Sequence, residues 1–126
     1  MTHASLVETF ATAASAAGFR VHRGRPPRIE GAAVSNASFG LADTGSVVLA
    51  SAPDEPRSRH LLADVHVSIL SEVRILQGLP ELFAAVGDDL PSALAIVTGP
   101  SRSADIEQRL VVGVHGPREV HVVLVP

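Results

Sequence analysis

The chain has 126 residues, 46% of them hydrophobic and 18% charged, with a formal charge of −3 at pH 7, so it can build one globular core of modest size and is not a disordered polypeptide. It contains no cysteine and no lysine, which excludes disulfides, thiolate nucleophiles, iron–sulfur clusters, cysteine zinc sites and Schiff-base or Walker-lysine chemistry in this chain. Four phenylalanines without tryptophan or tyrosine, together with the acidic balance, argue against a nucleic-acid partner.

No basic leader followed by an apolar stretch is evident, and no apolar run approaches the roughly 18 residues that cross a bilayer. A soluble, cytoplasmic protein with no membrane partner is therefore expected. Ser5 and Glu8 have capping-box spacing, and Leu6, Phe10, Ala13, Ala14 and Ala17 share a helical face up to Gly18. These predict a first helix over 6–17. Arg20, Arg23, Arg25 and Arg28 gather around Pro26 and Pro27, where the prolines oppose a helix and the charges prefer water. That segment reads as a solvated turn or crossing connection.

Residues 33–35 form a short edge or entry segment, and 46–50 form a strand introduced by the turn-like Asp43, Thr44 and Gly45. Val47, Val48 and Leu49 are continuously apolar, which predicts burial on both faces and a sheet covered by helices. Residues 51–60 are the most loop-like part of the chain. Val65, Val67 and Ile69 alternate with His66 and Ser68 as in a strand, and 73–76 make another short apolar piece. Pro80 suits a first helical turn, with Leu79, Leu82, Phe83 and Val86 as the apolar face of a helix ending near Gly87. A strand over 94–97, a loop over 98–103, a helix over 104–111 and a strand over 120–125, with His121 at its start, complete the order. The alternation predicts an α/β fold: one compact domain, 1–126, with an open, mostly parallel sheet flanked by helices and ligands beyond the strand ends.

Thr98, Gly99, Pro100, Ser101, Arg102, Ser103, Ala104, Asp105, Ile106 and Glu107 place hydroxyls, an arginine and two acids at a strand-to-helix passage. Exposed N–H groups there could cradle an anion with a hydroxyl of Ser101 or Ser103, or Ser103 could simply cap the helix with Asp105 in its first turn. The pattern leaves both readings open. Gly113, His115, Gly116 and Pro117 form a second tight feature in which His115 could exchange protons, paired with Asp105 or Glu107 if the loops converge. No metal site is indicated, because His60 and His66 are too far apart for one helical turn and no H-E-x-x-H pattern occurs.

The blocks Ala42-Asp43-Thr44-Gly45-Ser46 before Val47-Val48-Leu49, Thr98-Gly99-Pro100-Ser101-Arg102-Ser103-Ala104-Asp105-Ile106-Glu107, and Val112-Gly113-Val114-His115-Gly116-Pro117 together resemble the LUD domain of the lactate-utilization protein LutC family. The resemblance runs over about 34–124. It implies a Rossmann-like sheet related to the ribose-phosphate isomerase, glucosamine-phosphate deaminase and CoA-transferase structural superfamily. It also implies a role in oxidising L-lactate to pyruvate beside an iron–sulfur protein and a cysteine-rich-domain protein. The acid of the family's (Glu/Asp)-(Ser/Thr)-Gly motif falls at Asp43, followed by Thr44 and Gly45. Its Gly-Pro-Ser motif supplies Ser101 and Arg102, then Ser103, Asp105 and Glu107, and its Gly-Val-His-Gly-Pro block supplies Gly113, His115 and Gly116. Against longer members, 20–33 reads as a shortened Arg/Pro-rich connection, and Ala63 and Asp64 replace a proline usual before the histidine-bearing strand.

The expectation is an accessory or ligand-binding component of organic-acid utilization, supporting L-lactate oxidation with redox partner proteins. Thr44, Gly45, Gly99, Ser101, Arg102, Ser103 and Gly116 would hold an anionic metabolite, Arg102 through its planar donors. Asp43, Asp105, Glu107 and His115 are the candidate acid–base groups. The alternative is a small enzyme catalysing isomerisation, hydrolysis or group transfer on an anionic metabolite, and a purely structural subunit is a third reading. No cofactor is assigned. A homo-oligomer is compatible with a short sheet that leaves an edge.

Overall fold

The structure is a computed structural model that describes residues 2–50, 64–87, 94–100 and 117–126. Helix α1 (His3–Ala17) begins three residues before the predicted start. Thr2, not Ser5, is its N-cap: the Thr2 hydroxyl accepts the Ser5 N–H at 3.1 Å, and Glu8 turns away to Arg23. The helix stops where expected, at Gly18, whose φ of 112° closes the last turn while its N–H and that of Phe19 satisfy the carbonyls of Ser15 and Ala14.

Strands β1 (Arg20–Arg23), β2 (Ala33–Asn36), β5 (Val65–Ser71) and β8 (Glu119–Val125) form a wholly parallel sheet in the order β1-β8-β5-β2. Strand β1 corrects the reading of 20–23 as connection. Val21 packs against the core, while the edge position leaves Arg20 and Arg23 in water, so a charged segment pairs without burying its charges. Pro26 and Pro27 lie beyond the strand, where they obstruct no ladder.

A second sheet has the order β6-β3-β4-β7, from β3 (Phe39–Leu41), β4 (Ser46–Ala50), β6 (Ile75–Leu76) and β7 (Leu94–Val97). Here β3 and β6 are parallel, whereas β4 is antiparallel to both of its neighbours. The two sheets are joined where β2 runs on into β3 and β5 into β6 through a 3-10 turn (Glu72–Arg74). The Ala37 N–H bonds to Ile69 in the first sheet, and the next N–H, of Ser38, bonds to Val48 in the second. The α/β, mostly parallel architecture is as predicted. The partly antiparallel second sheet was not foreseen, because the apolar run of β4 requires burial on both faces without specifying neighbour direction.

Val7, Phe10 and Ala14 of α1 pack with Phe19, Leu70, Val120, Val122 and Leu124 against one face of the parallel sheet. Each large side chain so buried contributes about 1.5–3 kcal/mol. Val67 and Val123, on the opposite face, are buried as well. Helix α2 (Leu79–Val86) carries Pro80 in its first turn as predicted and covers Leu41 and Val48 through Leu82. Its apolar face is narrower than expected, since Leu79 and Phe83 are 43% and 59% exposed. The loop predicted over 51–60 and the helix over 104–111 lie outside the described residues.

Candidate functional site

The turn before β4 is held on three sides by backbone. The N–H groups of Ala42 and Asp43 donate to the carbonyls of Leu76 and Gln77, and the Gly45 N–H returns to the Leu41 carbonyl at 2.8 Å. Gly45 has a φ of 71°, and a Cβ there would stand 2.2 Å from the Ala14 nitrogen and 2.4 Å from the Ala13 carbonyl carbon. Glycine is thus required twice, for the dihedral and for the approach to the backbone of α1.

The second loop is seated on the same helix. Gly99 has a φ of 81°, and a Cβ would lie 2.2 Å from the Ala17 carbonyl oxygen, while the adjacent Pro100 packs against Gly18. The antiparallel pairing of β4 with β7 aligns Val47 with Val97 and so places Thr98 beside Ser46. The Ser46 hydroxyl, buried at 1% exposure, lies 2.6 Å from the hydroxyls of both Thr44 and Thr98. Three hydroxyls therefore stitch the Asp43 turn to the Thr98-Gly99-Pro100 segment, with the alanines of α1 as a flat bed beneath both.

Asp43 is exposed, and among the described residues no cation pairs with it. Its carboxylate instead lies over Gly78, where an added Cβ would meet Oδ2 at 2.5 Å. Gly78 is also the N-cap of α2, with no side chain of its own at the helix start. Asp43 borders an open groove of about 440 Å³ lined also by Glu8, Thr9, Thr12, Ala13, Ala16 and Ala42. Glu8 is held by Arg23 at 2.7 Å and the Thr9 hydroxyl donates to the Ser5 carbonyl, so Asp43 and Thr12 are the groove's uncommitted polar side chains among the described residues. A carboxylate so placed can accept a hydrogen bond from a ligand or take its proton.

Of the site residues expected from sequence, the structure brings Asp43, Thr44, Gly45 and Gly99 together. Ser101, Arg102, Ser103, Asp105, Glu107, His115 and Gly116 lie outside the described residues, as does Gly113. Ser46, Gly78 and the groove face of α1 are not among the site residues expected from sequence, and Thr98 is named there only as the start of the strand-to-helix passage. Glycine immediately before the Leu-Pro helix start was the available signal for Gly78; nothing local marks Ser46 as the link to Thr98. His66 is a buried strand side chain in the other sheet, with Nε2 3.1 Å from the Ser35 hydroxyl, and is not part of this turn. Among the described residues no group of three or more histidine or acidic side chains is arranged to hold a metal ion, and no helix is long and apolar enough to cross a membrane.

Residues 31–125 match the model of the LUD domain, a span that contains both the Asp43 turn and Gly99. The chain belongs to the LUD domain family. It is similar to lactate utilization protein C of Bacillus licheniformis, with 42% identity over 91 residues, 68% of this chain and 38% of the relative. Lactate utilization protein C of Bacillus subtilis is 40% identical over the same shares, and the uncharacterized protein YkgG of Escherichia coli is 42% identical over 64% of this chain and 38% of its own. The chain spans about two-fifths of the length of these relatives. Its fold is similar over its whole length to the crystal structure of a DUF162 family protein from Deinococcus radiodurans, with a TM-score of 0.74 at 17% identity and 99% of that chain covered. Helix α1, which seats both loops, precedes the stretch matched by the family model.

Proposed function

We propose that this LUD protein is a ligand-binding component of lactate utilization, supporting the oxidation of L-lactate to pyruvate with iron–sulfur and cysteine-rich redox proteins as partners. The observation that carries the reading is the similarity to proteins named lactate utilization protein C across a span that includes the Asp43 turn and the Gly99 loop. The absence of cysteine leaves iron–sulfur electron carriage to partners. The ligand is a small anionic metabolite in contact with Thr44, Gly45 and Gly99, with Ser101, Arg102, Ser103 and Gly116 completing the anion site. Asp43, Asp105, Glu107 and His115 are its hydrogen-bonding and acid–base groups.

The test is an amide NMR titration of the full chain with L-lactate and with pyruvate. Saturable shifts at Asp43, Thr44 and Gly99, weakened at least tenfold in Asp43→Asn, support the reading. Shifts confined to other parts of the chain, or none with either acid, overturn it. Turnover of the added acid without a redox partner would favour the small-enzyme alternative.

A further inference from the structure

The parallel sheet carries a second set of titratable groups that the Asp43 site does not use. Glu119 and His121 lie two residues apart on β8, and Arg20 and His22 lie two apart on β1, with Arg20 in register with His121. All four therefore project from one face of the sheet. Glu119 Oε2 lies 2.7 Å from His121 Nε2, and His121 Nδ1 lies 2.7 Å from His22 Nε2. Arg20 Nη2 stands 3.4 Å from the other carboxylate oxygen of Glu119.

The two imidazoles meet edge to edge. Their centroids are 5.0 Å apart with planes 20° apart, and 5.0 Å is about the nitrogen separation plus the two ring radii. The contact is thus an in-line N–H···N hydrogen bond between nearly coplanar rings and not a face-to-face stack.

Direction follows from the donor inventory. An ionised Glu119 can only accept, so His121 bears its proton on Nε2 and, when neutral, offers a lone pair at Nδ1. His22 must then donate from Nε2, which leaves its Nδ1 as the outer end of the chain, without a partner among the described residues. A carboxylate holding one imidazole tautomer so that its far nitrogen is basic is the logic of hydrolase triads. Here the group polarised is a second imidazole. His121 is buried at 4% exposure, whereas the Glu119 side chain is 35% exposed and His22 is only partly buried on an edge strand, so a buried imidazole links two groups nearer the surface.

We infer that Glu119, His121 and His22 form a proton relay, and that His22 is an acid–base site for a small carboxylic acid docked at Arg20. The Arg20 side chain is 67% exposed and, among the described residues, has donors to spare beyond its contact with Glu119. Two residues along a strand place its backbone about 7 Å from that of His22, within the reach of one small acid. A proton from the acid forms a bond to His22 Nδ1 and the His22 Nε2–H proton passes to His121 Nδ1, giving an imidazolium at His121 whose Nε2–H stays hydrogen-bonded to the ionised Glu119 Oε2. The acid is left as its carboxylate, no electrons are transferred, and the return of the protons reverses each step.

Neighbours on this face are Val65, Val67, Ile69 and Val123, with Val34 and Asn36 from β2, and among the described residues they add no charge. The three relay groups are not arranged to share a metal ion. Burial, then His121, then Arg20 hold His22 below the ordinary histidine value, so the free base is the resting form near neutral pH.

The test is imidazole 15N NMR of the full chain between pH 4.5 and 8, with and without acetate as the probe acid. Expected are the Nε2–H tautomer for His121, protonation of His22 at Nδ1, and an acetate-dependent shift of the His22 Nδ1 resonance that disappears in Arg20→Gln. In Glu119→Gln, loss of the carboxylate charge should move the His22 midpoint to lower pH by about half a unit, a threefold fall in the protonated fraction there. An Nδ1–H tautomer at His121, two histidines titrating independently at the ordinary value, or an acetate response unchanged in Arg20→Gln would each overturn the inference. All readouts are ring nitrogens on β1 and β8, so they are distinguishable from ligand binding at the Asp43 turn.

Discussion

Gly45 provides the sharpest test of the claim that the motif loops are seated on the backbone of α1. Gly45→Ala asks alanine to adopt a φ of 71° and to place its Cβ 2.2 Å from the Ala14 nitrogen. Gly31→Ala is the matched control, since Gly31 is exposed with a φ of 82° and, among the described residues, has nothing within 4 Å of the added Cβ. Both changes reduce the entropy of the unfolded chain by the same amount, and both incur the positive-φ penalty of about 1–2 kcal/mol. Their difference therefore isolates the contact. The clashing atoms at Gly45 belong to helix backbone that cannot rotate aside, so α1 must shift off its bed at a further cost of about 1–3 kcal/mol, the usual range for forced overpacking. Urea denaturation monitored by far-UV circular dichroism measures both variants. If Gly45→Ala and Gly31→Ala agree within about 0.5 kcal/mol, the close seating of the turn on α1 is wrong.

Gly99→Ala, whose Cβ meets the Ala17 carbonyl at 2.2 Å, should resemble Gly45→Ala and not Gly31→Ala in the same assay. Ser46→Ala removes the hydroxyl shared by Thr44 and Thr98 and should cost about 1–3 kcal/mol, with amide shifts at both ends of the link; shifts at Thr44 alone would contradict the connection. Phe10→Ala, which empties a fully buried position between α1 and the parallel sheet, should cost about 3–5 kcal/mol by urea denaturation. Stability should also fall as pH drops below about 6.5, because His22 is held below that value when folded and the unfolded chain takes up the proton first. Glu119, lowered mainly by its hydrogen bond from His121, adds stability that is present above its unfolded value of 4.5 and is lost as pH falls through the lower folded value. His22→Asn should flatten the upper part of that pH profile and Glu119→Gln the lower part, measured as urea midpoints across pH.

Much of the fold was legible because it is written locally. The alternation through Val65, Val67 and Ile69, the glycine stop at Gly18 and the first-turn Pro80 each express a single-element rule. What was missed depends on partners distant in sequence. Arg20 to Arg23 reads as a solvated run until β8 supplies a parallel neighbour and α1 covers Val21. The Ser5–Glu8 spacing imitates a capping box, but the upstream Thr2 hydroxyl reaches the Ser5 N–H first. At the site, Asp43-Thr44-Gly45 and Gly99 carried their own signals as tight turns flanking apolar strands. Their meeting through Ser46 and Thr98 required the antiparallel β4–β7 register, and the place of Gly78 under Asp43 required the parallel β3–β6 pairing. The histidine chain was invisible for the same reason: His22 and His121 are 99 residues apart and meet only because β1 lies beside β8.

The central claim is that the Asp43 turn and the Gly99 loop form a ligand site in lactate utilization. Native mass spectrometry of the purified full chain, followed by release and identification of retained metabolites, tests it most directly when wild type is compared with Asp43→Asn. The account predicts a small organic acid carried by the wild type and lost from a folded Asp43→Asn variant. Equal retention by both proteins, or retention of a ligand class without a carboxylate or phosphate, would contradict it.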